Sequence, residues 1–166
     1  VILFVGKLIY KKNPVSLLAL FEGIRLKEEC SLVYAGNGEL KELMGELIRG
    51  RYIPDVHITG FLNQTDLPQA YLIADFLVMP SGCGETWGLA VNEAMNFGLP
   101  IIVSDKVGCS RDLVKDNGFI TDDPREFAKC MLKLVRDKEL RDKMGKRSKE
   151  IISNYTPQIA ARKLLD

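Results

Sequence analysis

Residues 80–100 read Pro-Ser-Gly-Cys-Gly-Glu-Thr-Trp-Gly-Leu-Ala-Val-Asn-Glu-Ala-Met-Asn-Phe-Gly-Leu-Pro. An apolar run, Phe76–Met79, leads into this stretch, and a second, Ile101–Val103, leads out of it. Both are too short for helices and carry no polar residue, as expected of parallel strands buried on two faces. Between them lie a glycine-rich loop and one short helix. A strand–loop–helix–strand unit places backbone N–H groups and a positive helix end at the carboxyl edge of a sheet, where open α/β folds take anionic ligands. Glu85 stands in the loop and Glu93 on the helix, so the ligand is expected to carry hydroxyls as well as negative charge.

The same grammar extends in both directions. Residues 1–5 are a further apolar run, Ser31–Ala35 and Val56–Thr59 read as a second and a third strand, and a short last strand follows at Phe119-Ile120. Helical patterns separate them. Pro14 opens the first, with Leu17, Leu18, Leu20, Phe21 and Ile24 on its buried face, and Glu39–Arg49 forms the second. Thr65 reads as the cap of a third, in which Tyr71, Leu72 and Ala74 pack inward. A turn into a short helix is expected at 107–114. Asn117-Gly118 marks a turn, and Asp123-Pro124 starts a helix bearing Phe127, Cys130, Met131, Leu134 and Val135 at helical spacing. A helix over Lys138–Asn154 follows, with a terminal one after Tyr155-Thr-Pro-Gln. Strands alternating with helices predict βαβ units and a three-layer α/β/α domain of Rossmann-like type with a parallel sheet. The glycine-rich turns at 6, 36–38, 60, 82–88 and 108 all fall at carboxyl ends of strands, and so converge on one edge.

Composition narrows the functional classes. The 166 residues are read as a single domain, with 46% hydrophobic residues, enough for one real core, and a net charge of +1. That charge predicts neither a nucleic-acid partner nor a membrane surface. Lys143, Lys146, Arg147 and Lys149 are interleaved with acids and read as a solvated helix face. The four cysteines (Cys30, Cys83, Cys109, Cys130) are scattered and His57 is the only histidine, a pattern that offers neither a conventional zinc site nor a His-based triad. Free thiols fit a reducing compartment, and a cytoplasmic location is expected. The chain opens on a strand with no methionine, and is expected to be a piece of a longer protein.

Pro80-Ser81, Glu85-Thr86-Trp87-Gly88-Leu89, Glu93-Ala94-Met95 and Gly98-Leu99-Pro100 together resemble the signature of the retaining glycosyltransferases of family 4, in which two glutamates are separated by seven residues. Gly6-Lys7-Leu8 with Lys12 is similar to that family's Gly-Arg-Leu…Lys-Gly segment, and the resemblance extends through Gly60-Phe61, Ala74-Asp75 and the Gly108 turn to the helical tail. It implies the C-terminal half of a GT-B glycosyltransferase, the half that binds a nucleotide-sugar donor. The acceptor (glycan, lipid or small molecule) would be held by an N-terminal domain absent from this chain. Any peripheral membrane association would also come through that domain.

The resemblance assigns roles residue by residue. Lys7 and Lys12 would supply positive charge to the donor's pyrophosphate as the leaving group gains charge. Lys7 stands where the family has arginine, and an ammonium lacks the guanidinium's bidentate fork, so Lys11 is a candidate to share its part. Glu85 would face the transferred sugar near its anomeric centre. Glu93, about five residues into its helix, would accept hydrogen bonds from the ribose; the competing reading is a buried structural acid. Backbone N–H groups of Thr86, Trp87, Gly88 and Leu89 would meet phosphate or sugar oxygens. Trp87 replaces the commoner phenylalanine, a change compatible with plain packing. Leu62 and Gln64 would touch the base.

Gly36-Asn37-Gly38 is read as a tight turn before a helix. Cys109 and Asp112 depart from the family's Gly-Gly-x-x-Glu, which puts donor contacts from that turn in question. No cofactor and no bound metal are expected, the donor being a UDP-, GDP- or ADP-sugar. Two other classes share parts of the pattern: a non-catalytic nucleotide-binding regulatory module, and a related GT-B nucleotide-sugar epimerase. Intact Lys12, Glu85 and Glu93 argue against the first, and the Pro-Ser…Glu-x7-Glu context against the second.

Overall fold

The apolar runs become one six-stranded sheet in the computed structural model, which describes residues 1–155. In chain order the elements are β1 (Ile2–Val5), α1 (Pro14–Arg25), β2 (Leu32–Ala35), α2 (Lys41–Gly50), β3 (Val56–Gly60), α3 (Leu67–Ile73) and β4 (Phe76–Met79). They continue with α4 (Leu89–Asn96), β5 (Ile101–Val103), α5 (Ser110–Leu113), β6 (Gly118–Ile120), α6 (Pro124–Arg136) and α7 (Lys138–Ile152). All pairings are parallel and the spatial order is β3-β2-β1-β4-β5-β6. In this order the chain runs outward from the centre twice, and the reversal leaves a crevice between the carboxyl ends of β1 and β4. The terminal helix expected after residue 155 lies outside the described residues.

Period-two alternation divides the strands between two cores. Ile2, Phe4, Tyr34, Phe76, Val78 and Ile102 face α1, α2 and α6, where Leu17, Phe21, Met44, Phe127 and Met131 cover them. Leu3, Val33, Leu77, Met79, Ile101 and Val103 face the other layer, against Tyr71, Val91, Met95, Leu113 and Ile152. Each side chain fully buried in this way contributes about 1.5–3 kcal/mol of transfer free energy. A polar link ties the second layer down. Asn117 is buried and donates to Ser148 Oγ at 3.1 Å, and Ser148 donates in turn to the Leu99 carbonyl at 2.7 Å. The Asn117-Gly118 turn is therefore also a clamp joining β6, α7 and the segment before β5.

Several expectations are corrected. Thr65 does not cap α3: Asn63 Oδ1 accepts from the Thr65 and Asp66 N–H groups at 2.8 and 2.9 Å, and so opens the turn before the helix. Leu72 points to solvent and Ala70 takes the buried position, because Ala70 and Tyr71 already fill the face toward the sheet. Gly36 and Gly38 are not there for turn dihedrals. A Cβ on either would overlap the carbonyl oxygen of Gly6 or Leu8, so the loops after β1 and β2 pack backbone to backbone. Lys11 and Lys12 lie in a short 3-10 turn, Tyr10–Lys12, that Asn13 ends at φ 56° before Pro14 starts α1. Cys83 is exposed, unlike the half-buried Cys30 and Cys130 and the buried Cys109.

Candidate active site

At the β1/β4 crevice, a cavity of about 390 Å³ is lined by Val5, Gly6, Lys12, Met79, Glu85, Thr86, Trp87, Gly88, Leu89, Ala90 and Glu93. Seven expected site residues thus share one wall. The loop carrying Glu85 owes its position to backbone bonds. Glu85 N–H donates to the Lys106 carbonyl at 3.0 Å, and its own carbonyl accepts from Gly108 N–H at 2.8 Å. Cys109 N–H donates to the Trp87 carbonyl at 2.9 Å, and Gly82 N–H to the Lys11 carbonyl at 2.9 Å. Gly108 allows this close seam, since a Cβ there would overlap the Thr86 carbonyl oxygen. Cys109 is fully buried behind the loop, its Sγ 3.9 Å from the Gly88 carbonyl, and burial pushes its thiol up to about 11. The 107–109 turn therefore braces the loop from behind.

Gly88 starts α4 in the left-handed region at φ 97°, with Val107 Cγ1 only 2.8 Å from where a Cβ would stand. No side chain caps this helix, so its first N–H groups are left for a ligand at the positive end of the dipole. Trp87 is half-buried against the second core, and its indole N–H donates to Asn92 Oδ1 at 2.7 Å.

The charges are arranged unevenly. Lys12 Nζ reaches across Gly6 and forms an ion pair with Glu85 Oε2, the two side chains being only 16% and 17% exposed. That oxygen is buried and, among the described residues, receives no well-oriented hydrogen bond, so the lysine's charge is what compensates it there. Glu93 is exposed, which removes the reading of a buried structural acid. One of its oxygens, Oε2, accepts from the Tyr71 hydroxyl at 2.6 Å. Tyr71 is itself buried and stacks on Phe97 with ring centroids 5.2 Å apart. Burial first, then the Glu93 carboxylate, keeps its phenol protonated far above the ordinary tyrosine range.

A neighbouring cleft of about 670 Å³ lies beyond β1, lined by Val5, Gly6, Lys7, Ala35, Gly36, Asn37, Gly38, Phe61, Leu62 and Leu67. Lys7 is exposed and belongs to this cleft rather than to the wall bearing Glu85 and Glu93. Leu62 lines it and Phe61 is 79% exposed at its rim, whereas Gln64 is exposed and lines neither cavity. Val5 and Gly6 border both spaces, so the two are adjoining halves of one carboxyl-edge groove. A further cleft of about 460 Å³, with Asp75, Arg141 and Lys149 in its walls, lies toward the starts of β4 and β5, away from the glycine loops. Tyr71 is the participant that sequence reasoning missed, because it was counted as core. A phenol on a buried helix face needs a partner for its O–H, and that was the available signal.

Comparison with known proteins follows the same lines. The profile of the family described as glycosyl transferases group 1 matches residues 1–151. The sulfoquinovosyl transferase SQD2 of Arabidopsis thaliana is 31% identical over 171 residues, covering 98% of this chain and 32% of that protein. Among solved structures, the C-terminal domain of a glycosyl transferase group 1 family protein, LpcC, from Francisella tularensis superposes with a TM-score of 0.82 at 18% identity. That match covers 92% of this chain and 84% of the other. HepE from Anabaena, solved in complex with UDP and glucose, matches with a TM-score of 0.82 at 20% identity, covering 99% of this chain and 48% of that one. The chain spans about a third to a half of the length of curated relatives that it matches almost end to end.

Proposed function

The chain belongs to the group 1 glycosyl transferases, and from that membership we propose that it is the donor-binding domain of a retaining enzyme that transfers a sugar from a nucleoside-diphosphate sugar. One observation carries the reading: Lys12, Glu85, Glu93 and the uncapped start of α4 meet in one cavity at the β1/β4 reversal. The donor's pyrophosphate lies over the α4 N-terminus, where N–H groups and the helix dipole favour negative charge. Lys12 adds a mobile positive charge beside it, and Lys7 approaches from the adjoining cleft. As the bond to the leaving phosphate breaks, the positive charge gathered there favours the transition state over the ground state.

Glu85 is held by its flanking backbone bonds near the sugar and opposes the positive charge that develops at the anomeric carbon. Glu93 takes the ribose hydroxyls, with Leu62 and the glycine floor of the 670 Å³ cleft beside the base. No resident metal takes part in this reading, the positive charge coming from the lysines and the helix end. The acceptor is bound by a second, N-terminal domain across the groove, in the cytoplasm. Among the described residues no helix is long and apolar enough to cross a membrane. The solved relative with UDP and glucose lends support as a protein of the same fold.

Calorimetric titration of the chain with UDP, GDP and ADP tests the donor site. Binding of at least one in the micromolar to low millimolar range is expected. No binding of any of them at millimolar concentration overturns the proposal.

A further inference from the structure

The exposed Glu93 carboxylate is oriented by a buried phenol from a different helix. Tyr71 sits on α3, 22 residues earlier in the chain, with its ring sandwiched into the second core and stacked on Phe97 at an interplanar angle of 17°. Its hydroxyl donates to Oε2 of Glu93, which lines the groove. A glutamate on a helix surface otherwise samples several rotamers, and a ligand must pay to select one. A rigid aromatic pillar removes most of that cost before the ligand arrives. It also divides the carboxylate's work. Oε2 has one lone pair committed to the protein, while Oε1 has both free for ligand hydroxyls.

We infer that Tyr71 is a positioning residue that pre-orients Glu93 and so sets the affinity for the ligand's vicinal hydroxyls, an inference that rests on the nucleoside-diphosphate reading above. The phenol stays protonated throughout the physiological range, so it donates in every state of the site. Tyr71 touches no ligand; its influence passes through one hydrogen bond. Phe97 completes the support from the far end of α4, where its N–H donates to the Glu93 and Ala94 carbonyls at 3.3 and 3.1 Å. The α3–α4 pairing is thus part of the binding apparatus and not simply packing.

Tyr71→Phe removes the hydroxyl and keeps the ring and its stacking. Calorimetry with UDP, GDP and ADP and with their 2′-deoxy and 3′-deoxy forms is the test, with melting temperature measured alongside. For a ribonucleotide that binds the wild type, Tyr71→Phe should weaken affinity roughly three- to tenfold, the size of one side chain's ordering cost. The deoxy form lacking the hydroxyl held by Glu93 should lose nothing further, and in a Glu93→Ala background Tyr71→Phe should be silent. Equal losses for ribo and deoxy forms, or a loss that persists without Glu93, overturn the positioning role in favour of a merely structural one. Unchanged ribonucleotide binding in Tyr71→Phe overturns it as well. If the wild type binds no nucleotide, the donor-site reading falls, and this inference falls with it.

Discussion

Replacing Lys12 by methionine keeps the aliphatic stem and deletes the only charge that compensates Glu85 among the described residues. Breaking a fully buried ion pair from one side costs about 3–5 kcal/mol, because the remaining charge is left without solvent. Here the two side chains retain 16% and 17% exposure, so water recovers part of that energy and about 2–3 kcal/mol is expected. For a chain of this size the melting temperature should fall by about 4–12 °C. Glu85→Gln should cost less, about 1 kcal/mol, because the freed ammonium can swing its long stem toward water. The double variant Lys12→Met/Glu85→Gln should therefore be more stable than Lys12→Met alone, even though it carries one more change. Thermal unfolding of the four proteins at neutral pH reads the cycle. A double variant no more stable than Lys12→Met would refute the argument that Glu85 depends on this lysine. The same proteins separate the two residues' ligand roles. Lys12→Met should weaken nucleoside-diphosphate binding by about tenfold to a hundredfold, the worth of a charge-assisted hydrogen bond. Glu85→Gln should leave it unchanged or tighten it, because Lys12 no longer has to leave a partner to meet phosphate.

Gly108→Ala should destabilise by about 1–3 kcal/mol through overlap with the Thr86 carbonyl, while Gly82→Ala, with open space around its Cα, should be silent; melting curves distinguish them. Stability should decline between about pH 9 and pH 11, since the Cys109 thiol ionises more easily unfolded than buried, and Cys109→Ala should flatten that slope in pH-dependent denaturation. A thiol reagent applied to the native protein should label Cys83 first and Cys109 only on unfolding, as peptide mass mapping would show. Asn117→Ala should cost about 1–3 kcal/mol in urea unfolding, because Ser148 and the Lys115 N–H lose a buried partner.

The fold was legible because four of its strands are short, wholly apolar and separated by helical patterns, which leaves few alternatives to a parallel sheet covered on both faces. Spatial order was not legible, since an apolar run such as Phe76–Met79 says that it is central but not that β1 is its neighbour. Glu85 and Glu93 could be picked out at their spacing. Lys12 could be picked out too, but not its pairing with Glu85, nor Tyr71 as the partner of Glu93, because these contacts arrive from 73 and 22 residues away along the chain. The misread residues share a cause. Leu72 and Thr65 were judged by local propensity, while the direction of α3 is set by Tyr71 and Ala70 filling the sheet face and by Asn63 closing the turn. Lys7 and Lys12 look equivalent in the text, yet the 3-10 turn between them sends one to each half of the groove.

The pairing of Lys12 with Glu85 has a consequence for ligand binding. Lys12 and Glu85 neutralise each other across Gly6, so the cavity presents little net positive charge before a ligand arrives. The α4 N-terminus, uncapped and braced by the 107–109 turn, is then the electropositive feature that the proposed donor's diphosphate would meet first. Under the proposed donor-site reading, a seated phosphate would give Lys12 a second anion and weaken its hold on Glu85, releasing the carboxylate toward the sugar. A single lysine would then link leaving-group binding to the readiness of the residue proposed to face the reacting carbon. Arginine at position 12 would disrupt that link, since a guanidinium can grip carboxylate and phosphate together through its fork and need release neither. In titrations, Lys12→Arg should preserve nucleoside-diphosphate affinity within about threefold, while turnover in the two-domain protein falls by about tenfold or more. Equal turnover of Lys12→Arg and wild type would show that exchange of the lysine between its two anions plays no part.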